Sequence, residues 1–245
     1  MKKFKFILLF VAVGFSFSAI AQFSFGPKIG LNLATYSFNF KDSDDEPDVK
    51  MRLAPLVGFA INYQFTDELA LQSGLFFSGK GTAFDLEKLM ADADDVDIDG
   101  YMRFSTGYLE IPVNIAYGIA IGESQLQIFA GPYLAYGIMG EMKWDYTVKS
   151  GGDSETLKDD IKIKFKNKID ESDDEEDTMY QTALDLGLGF GLGFKTGPIL
   201  INAGYGLGLT NLEPKWGGDG EDDRDDWKYT NGVINVSVSY LFGGE

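Results

Sequence analysis

Hydrophobic side chains alternate with small or polar ones along most of this chain, and this period of two constrains the fold more than any other feature. Every second residue of 184–194 is Leu or Phe, and most residues between them are glycine. A helix is disfavoured, because each interior glycine costs about 1 kcal/mol relative to alanine. Such alternation is typical of strands with one apolar face. We predict eight strands, near residues 23–38, 53–65, 69–84, 108–118, 126–147, 182–195, 199–210 and 234–242.

The connections between these strands alternate in length. Short ones are expected at 66–68, 121–125 and 196–198, and long polar ones at 41–50, 87–102, 149–180 and 213–229. Strands of about ten residues with short turns at one end and long loops at the other are typical of outer-membrane barrels. The pattern predicts an all-β fold: an eight-stranded antiparallel up-and-down transmembrane β-barrel, with four long acidic extracellular loops, short periplasmic turns and both termini in the periplasm.

Alternation alone also fits a soluble eight-stranded barrel of the lipocalin type, since either barrel has one apolar face. The distribution of charge favours the membrane. The formal net charge is −17, and most of the acidic excess lies in the four long connections. The strands are nearly neutral, as a lipid-facing wall requires.

The first residues have the features of an export signal. Lys2, Lys3 and Lys5 precede an apolar run over 6–17, and Ala19 and Ala21 are the small residues that a signal peptidase reads. We predict a signal peptide over 1–21 and a barrel domain over 22–245, exported to a bacterial outer membrane. The alternative is an anchor helix, but the run is short of the ~20 residues that span a bilayer.

The absence of two residue types excludes many functions. The chain has no Cys and no His, so it has no disulfide framework, thiolate metal site, Cys nucleophile or Ser-His-Asp triad. The acidic balance argues against nucleic-acid binding, which needs a basic face. We therefore predict a protein that is not an enzyme, has no resident cofactor and lies in outer-membrane lipid.

Charged residues on the small-residue face of the strands would point into the barrel. They are Lys28, Lys80, Glu110, Asp185 and Lys195. Because the interior of an eight-stranded barrel is filled by side chains, these charges must be paired or hydrated. We expect a structural network of ion pairs, with Lys80 and Glu110 as neighbours; a path for protons or ions is the alternative.

The acidic loops offer a candidate metal site. Asp95, Asp97 and Asp99 precede Gly100 with the spacing of the first half of a calcium loop, although its twelfth position is Thr106 rather than Glu. Weak calcium binding by these three aspartates is one prediction, and solvated surface is the alternative. A further stretch, 161–168, alternates apolar and basic residues. It predicts a strand above the membrane that pairs with acidic residues of its own loop or binds a partner.

Several strand sequences resemble the PorT family of outer-membrane β-barrel proteins. They are LALQSGLFFSGKG (69–81), YLEIPVNIAYG (108–118), FAGPYLAYGIMG (129–140) and LDLGLGFGLGF (184–194), with FGPKIGLNLA (25–34) and VINVSVSYLF (233–242) at the ends. The resemblance implies a structural or accessory barrel linked to type IX protein secretion, with a partner in that machinery. The alternative is a surface adhesion barrel whose acidic loops bind a ligand or divalent cations.

Overall fold

The computed structural model describes residues 22–40, 47–89, 97–150, 153–173, 175–216 and 227–244. The predicted signal peptide, 1–21, lies outside them. Eight long strands carry the fold, and their bounds follow the alternating stretches of the sequence. They are β1 (Phe23–Phe40), β3 (Arg52–Gln64), β4 (Leu69–Asp85), β5 (Asp97–Ile121), β6 (Ser124–Ser150), β10 (Leu184–Thr196), β11 (Ile199–Gly208) and β13 (Trp227–Tyr240).

These strands close into a ring. Each is antiparallel to the next, in the order β1, β3, β4, β5, β6, β10, β11 and β13, and β13 pairs back with β1. Two of the connections between these wall strands contain only two residues, Gly122 with Glu123 and Gly197 with Pro198. Both glycines have positive φ, 61° and 52°, which suits tight turns. We call this side of the barrel the short-turn end and the opposite side the long-loop end.

The long connections hold more regular structure than the sequence indicated. Their elements are β2 (Val49–Lys50), helix α1 (Leu86–Leu89), β7 (Asp153–Phe165), β8 (Lys168–Ile169), a 3-10 turn (Glu171–Asp173), β9 (Thr178–Gln181) and β12 (Lys215–Trp216); β14 (Phe242–Gly243) follows the last wall strand. The predicted loop bounds 87–102 and 149–180 are therefore wrong. Strands exposed to water on both faces lack the apolar alternation that marked the wall.

One group of strands extends well past the barrel wall. Strands β5 and β6 have 25 and 27 residues, whereas a crossing needs about 9–11. Their outer halves remain paired, from Asp97 with Lys149 inward, and β7 continues the sheet along β6. Strand β9 then adds to β7 in parallel. We call these outer parts of β5 and β6, with β7 and β9, the projecting sheet.

The barrel is apolar outside and polar inside. Large side chains such as Leu31, Val57 and Val236 are about half exposed on the outer wall, whereas Asn32, Ser78 and Ser237 are buried in the interior. A soluble barrel has the opposite arrangement, so this finding excludes the lipocalin alternative. Among the described residues, no helix has both the length and the apolar character needed to cross a membrane.

Glycine rows on β10 and β11 accommodate large side chains from across the lumen. A Cβ on Gly191 or Gly204 would lie 2.7 or 3.0 Å from the ring of Phe129, and one on Gly187 would lie 2.4 Å from the ring of Tyr133. The two aromatic rings therefore fill the space that these glycines leave, and the lumen is a packed core rather than an open channel.

Candidate functional site in the barrel lumen

A buried lysine lies near the middle of the lumen between two carboxylates. Lys80 Nζ is 2.8 Å from Glu110 Oε2 and 2.9 Å from Asp185 Oδ2. The side chains of Lys80 and Asp185 are at most 2% exposed, and that of Glu110 is 18% exposed. The three residues come from β4, β5 and β10, so the interaction braces three parts of the wall. We call Lys80, Glu110 and Asp185 the charge cluster.

Neutral groups complete the surroundings of the charge cluster. Asn231 Nδ2 donates to Asp185 Oδ2 at 2.8 Å, and the Tyr133 hydroxyl donates to Asp185 Oδ1 at 3.4 Å. Lys80 Nζ lies 4.3 Å from the centre of the Tyr133 ring and 5.2 Å from that of Tyr108. Since buried charges are tolerated when they are paired and hydrogen-bonded, this arrangement is suited to holding the wall strands together.

The other two predicted interior lysines are not part of the charge cluster. Lys28 Nζ is 5.3 Å from the centre of the Phe76 ring, and the residue lines a cavity of about 70 Å³ together with Lys80 and Glu110. Lys195 lies at the short-turn end, where it lines an open depression of about 590 Å³. The structure therefore brings Lys28, Lys80, Glu110 and Asp185 to one region and leaves Lys195 at the mouth.

A group of packed side chains closes the lumen above the charge cluster at the long-loop end. Tyr36, Leu212 and Tyr229 pack together there and are at most 3% exposed, with Phe38 and Phe104 against them. Gln181 Nε2 donates to the Tyr36 hydroxyl at 3.2 Å. The Leu212 N–H donates to the Tyr229 carbonyl, and the Thr182 N–H donates to the Leu212 carbonyl. These backbone hydrogen bonds attach the group to the wall. We call Tyr36, Gln181, Leu212 and Tyr229 the roof.

The lumen below the cluster is almost as full. Leu56, Ala60, Phe76, Leu200 and Leu241 form a buried apolar layer between the cluster and the short-turn mouth. A cavity of about 30 Å³ beside this layer is the volume of roughly one water molecule. The lumen is therefore packed on both sides of the charge cluster.

The aspartates predicted to bind calcium are only partly described. Asp95 lies outside the described residues, and Asp97 and Asp99 begin β5, opposite Lys149 and Thr147 of β6. Within the described ranges, no three His, Cys, Asp or Glu side chains lie close enough to hold a metal ion. The calcium site stays a prediction.

The alternating basic stretch, 161–168, runs from the end of β7 to the start of β8 and pairs with acidic residues of its own loop. Lys164 forms an ion pair with Glu175, and Lys166 with Asp173. Hydrogen bonds from these lysines lower the pKa of both carboxyls below the usual range and raise the pKa of both lysines. Of the two interpretations, pairing within the loop describes these lysines.

Sequence analysis missed the neutral partners of the charge cluster. Tyr108 shares the inward face of β5 with Glu110, and Tyr133 and Asn231 lie on the inward faces of β6 and β13. The alternation of each strand contains this information, because outward Leu109 and Leu134 place their neighbours inward. These residues were not predicted because only charged side chains on the inward faces were considered.

The chain is similar to several proteins of known structure. The match to the attachment invasion locus protein Ail of Yersinia pestis covers 89% of this chain and 98% of that protein, at 15% identity and a TM-score of 0.37. The match to the Neisserial surface protein A covers 90% of this chain and 97% of that protein, at 12% identity and a TM-score of 0.32. The match to the N-terminal β-barrel domain of OprF from Pseudomonas aeruginosa covers 88% of this chain and 97% of that domain, at 10% identity and a TM-score of 0.30.

No curated protein sequence matches the chain significantly. A family model described as "Outer membrane protein beta-barrel domain" matches residues 9–213. This match spans most of the chain and includes seven of the eight wall strands. The chain belongs to the outer membrane protein beta-barrel domain family.

Proposed function

We propose that this protein is a non-enzymatic docking barrel of the bacterial outer membrane, which holds the projecting sheet at the cell surface for a protein partner. The observation that carries this proposal is the contrast between the filled lumen and the long projecting sheet. Both termini and the short turns lie in the periplasm. The partner is a membrane protein, and the resemblance of the strand sequences to the PorT family makes a type IX secretion subunit the first candidate.

The filled lumen supports a role other than transport. The roof and the apolar layer enclose cavities of only about 70 and 30 Å³. Each charged side chain of the cluster between them takes part in an ion pair, which suits a structural role. The chain also lacks the Cys and His side chains on which many hydrolases depend.

The projecting sheet is suited to docking because it is ordered by backbone pairing. Ten residue pairs join β6 to β7, from Glu141 with Lys162 to Ser150 with Asp153. Lys158 Nζ and Asp145 Oδ2 add an exposed ion pair at 2.8 Å. A sheet held in this way presents a preformed surface, and preformed surfaces lose less conformational entropy on binding.

The test is gentle detergent extraction from native membranes, followed by the mass and composition of the particle that contains this chain. A discrete complex with secretion subunits would support both the docking role and the type IX partner. A complex with other proteins would support docking and refute the type IX link. A monomer under every gentle condition would refute docking.

A shortened variant locates the docking surface. Replacing 146–157 with Asn-Gly keeps the Asp145–Lys158 pair and joins it by a two-residue turn that suits a hairpin. We expect this variant to form a heat-modifiable barrel but to lose the partner. Retention of the partner would exclude the tip of the projecting sheet as its binding surface.

Orientation is tested separately, since the chain contains no cysteine. Single cysteines at exposed Glu123 and Asp159 lie at the short-turn and long-loop ends. On intact cells, an impermeant maleimide is expected to label the cysteine at 159 and to spare that at 123. The reverse result would place the projecting sheet in the periplasm.

Binding of divalent cations by the acidic loops is a second candidate function. The sequence supports it, because Asp95, Asp97 and Asp99 precede Gly100 with the spacing of the first half of a calcium loop. Calorimetric titration of the purified barrel with Ca²⁺ tests it. The weak affinity of extracellular sites, ~10⁻⁴–10⁻³ M, is expected.

A further inference from the structure

The outer half of β7 forms an edge of the projecting sheet. One side of β7 pairs with β6 from Asp153 to Lys162, whereas the other side pairs with β9 only from Lys162 to Phe165. Among the described residues, no strand pairs with that second side of 153–160. Every residue of this stretch is exposed. We call 153–160 the free edge.

The pairing next to the free edge shows which of its backbone groups point away from the sheet. The Lys162 N–H donates to the Asp177 carbonyl at 3.2 Å, just before β9 begins and therefore away from β6. The N–H and C=O of one residue lie on the same side of a strand, and that side alternates from residue to residue. Even-numbered residues of β7 therefore direct their backbone groups away from β6. Those of the free edge are Ser154, Thr156, Lys158 and Asp160.

These outward groups form a row of hydrogen-bond donors and acceptors. The Asp160 N–H is used locally, since it donates to Asp159 Oδ1 at 2.8 Å. The N–H groups of Ser154, Thr156 and Lys158, and the carbonyls of all four even-numbered residues, point away from the sheet. Such a row along a strand is a template for a further strand, and proteins bind extended peptides in this way through main-chain hydrogen bonds.

One face of the free edge is acidic, and the neighbouring strand does not balance it. Asp153, Glu155 and Asp159 lie on this face, because alternate side chains of a strand point the same way. The residues of β6 directly opposite them carry no positive charge; they are Ser150, Val148 and Trp144. We call Asp153, Glu155 and Asp159 the carboxylate row.

The opposite face of the free edge is balanced by β6. Lys158 Nζ is 2.8 Å from Asp145 Oδ2, and Asp160 lies directly opposite Lys143. Opposite charges on neighbouring strands stabilise their pairing. A strand added to the free edge is therefore favoured to carry positive side chains on the face of the carboxylate row.

The charge of the free edge decides among its possible occupants. A second copy of the chain would place two acidic edges side by side, and like charges directly opposite each other destabilise strand pairing. The stretches 41–46, 90–96 and 217–226, which lie outside the described residues, are acidic in sequence, so the same repulsion disfavours them. A strand of another protein with lysine or arginine at alternate positions has the matching charge.

We propose that the free edge binds an extended, basic segment of a partner protein as an additional antiparallel strand. The segment forms main-chain hydrogen bonds with Ser154, Thr156 and Lys158, and its basic side chains lie beside the carboxylate row. This proposal rests on the proposed function, in which the projecting sheet is the docking surface, and it names the binding mode and the charge of the partner.

The probe is the labelled synthetic peptide VTKTVTKTK, and its binding to the purified full-length barrel in detergent is measured by fluorescence anisotropy. When the peptide lies antiparallel to 153–161, its three lysines are opposite the carboxylate row. Methylation of the backbone nitrogens of its fourth, sixth and eighth residues removes the N–H groups that face Lys158, Thr156 and Ser154. Methylation of the third, fifth and seventh is the matched control, because those N–H groups point away from β7.

Two pairs of variants test the barrel side. T156P removes one outward N–H, and proline is tolerated in an edge strand where the N–H faces solvent. T156A is its matched control, since both variants lose the contact between the hydroxyls of Thr156 and Thr147. D153N/E155Q/D159N removes the carboxylate row, and its control D160N removes a carboxylate from the opposite face.

We expect methylation of the fourth, sixth and eighth residues, T156P and D153N/E155Q/D159N each to weaken peptide binding by about fivefold or more. The three controls are expected to bind within about twofold of the parent. Equal loss with the two methylation patterns would overturn the proposal, as would equal binding by T156P and T156A or an absence of binding at ~1 mM peptide. Heat-modifiable migration identifies variants that fail to fold, and the methylated peptides then decide the outcome with the parent barrel.

The particle extracted from native membranes separates this proposal from the docking role. If T156P keeps the partner that the shortened variant loses, docking stands and strand addition is refuted. If extraction yields only a monomer while peptide binding follows the methylation pattern, docking is refuted and the free edge stands as a site for basic strands. Self-association of the parent barrel that T156P abolishes would assign the free edge to a second copy and overturn the proposal.

Discussion

Replacing Lys80 with methionine would leave two carboxylates facing each other in the lumen. Glu110 Oε2 and Asp185 Oδ2 lie 2.8 and 2.9 Å from the ammonium nitrogen that is removed. Breaking a buried ion pair by removing one partner costs about 3–5 kcal/mol, because the remaining charge is buried without compensation. For a chain of 245 residues, that loss corresponds to a fall of roughly 6–20 °C in Tm.

The double variant K80M/D185N tests whether charge causes this loss. It removes one cation and one anion, so that Lys28 and Glu110 remain as the charges lining the luminal cavity. We expect the two substitutions together to cost about 1–3 kcal/mol less than the sum of the single effects. Tm is measured from the temperature at which the barrel loses its compact migration on SDS–PAGE. Lys158 is the matched control, because its ion pair with Asp145 is exposed, and K158Q is expected to leave Tm unchanged.

Additive single effects would refute the argument, because they would show that Lys80 contributes packing rather than charge compensation. A Tm unchanged in K80M would refute it more directly, since it would mean that water or a proton compensates the two carboxylates at no measurable cost.

Three further predictions concern other parts of the molecule. The ion pairs of Asp173 and Glu175 stabilise the loop above about pH 4 and are lost as the pH falls below that value, because the folded pKa of each carboxyl is lowered. Amide hydrogen exchange of 166–180, corrected for intrinsic rates, is expected to rise below that pH. A flat exchange profile from pH 6 to 3 would contradict this. Phe129→Ala opens space beside two glycines and is expected to cost about 3 kcal/mol without creating conductance in planar bilayers, since the roof stays closed; stepwise currents would show that the ring is the gate. If calcium binds at the start of β5, D97N/D99N abolishes the calorimetric signal that the parent gives with Ca²⁺, and an unchanged signal would exclude these aspartates.

The sequence predicted the wall of the barrel better than its outer part. Alternation predicted each wall strand, because one residue faces lipid and must be apolar, whereas the next faces the packed lumen and is small or polar. The sequence also identified Lys80, Glu110 and Asp185 as inward residues. Of the strands that continue the projecting sheet beyond β6 it predicted only the alternating stretch 161–168, because the rest of Asp153–Phe165 is solvated on both faces and carries no apolar period.

The closing of the ring by β1 and β13 has a consequence for the order of assembly. Phe25 pairs with Phe242, and Lys28 with Ser239, so the first and last wall strands meet only after nearly the whole chain is available. Contacts between residues so distant in sequence form slowly. Without Trp227–Tyr240, both β1 and β11 would present unpaired backbone edges to lipid, where unsatisfied N–H and C=O groups are costly. Synthesis from the N-terminus therefore yields no stable partial barrel, and the emerging chain depends on protection in water until its last strand arrives.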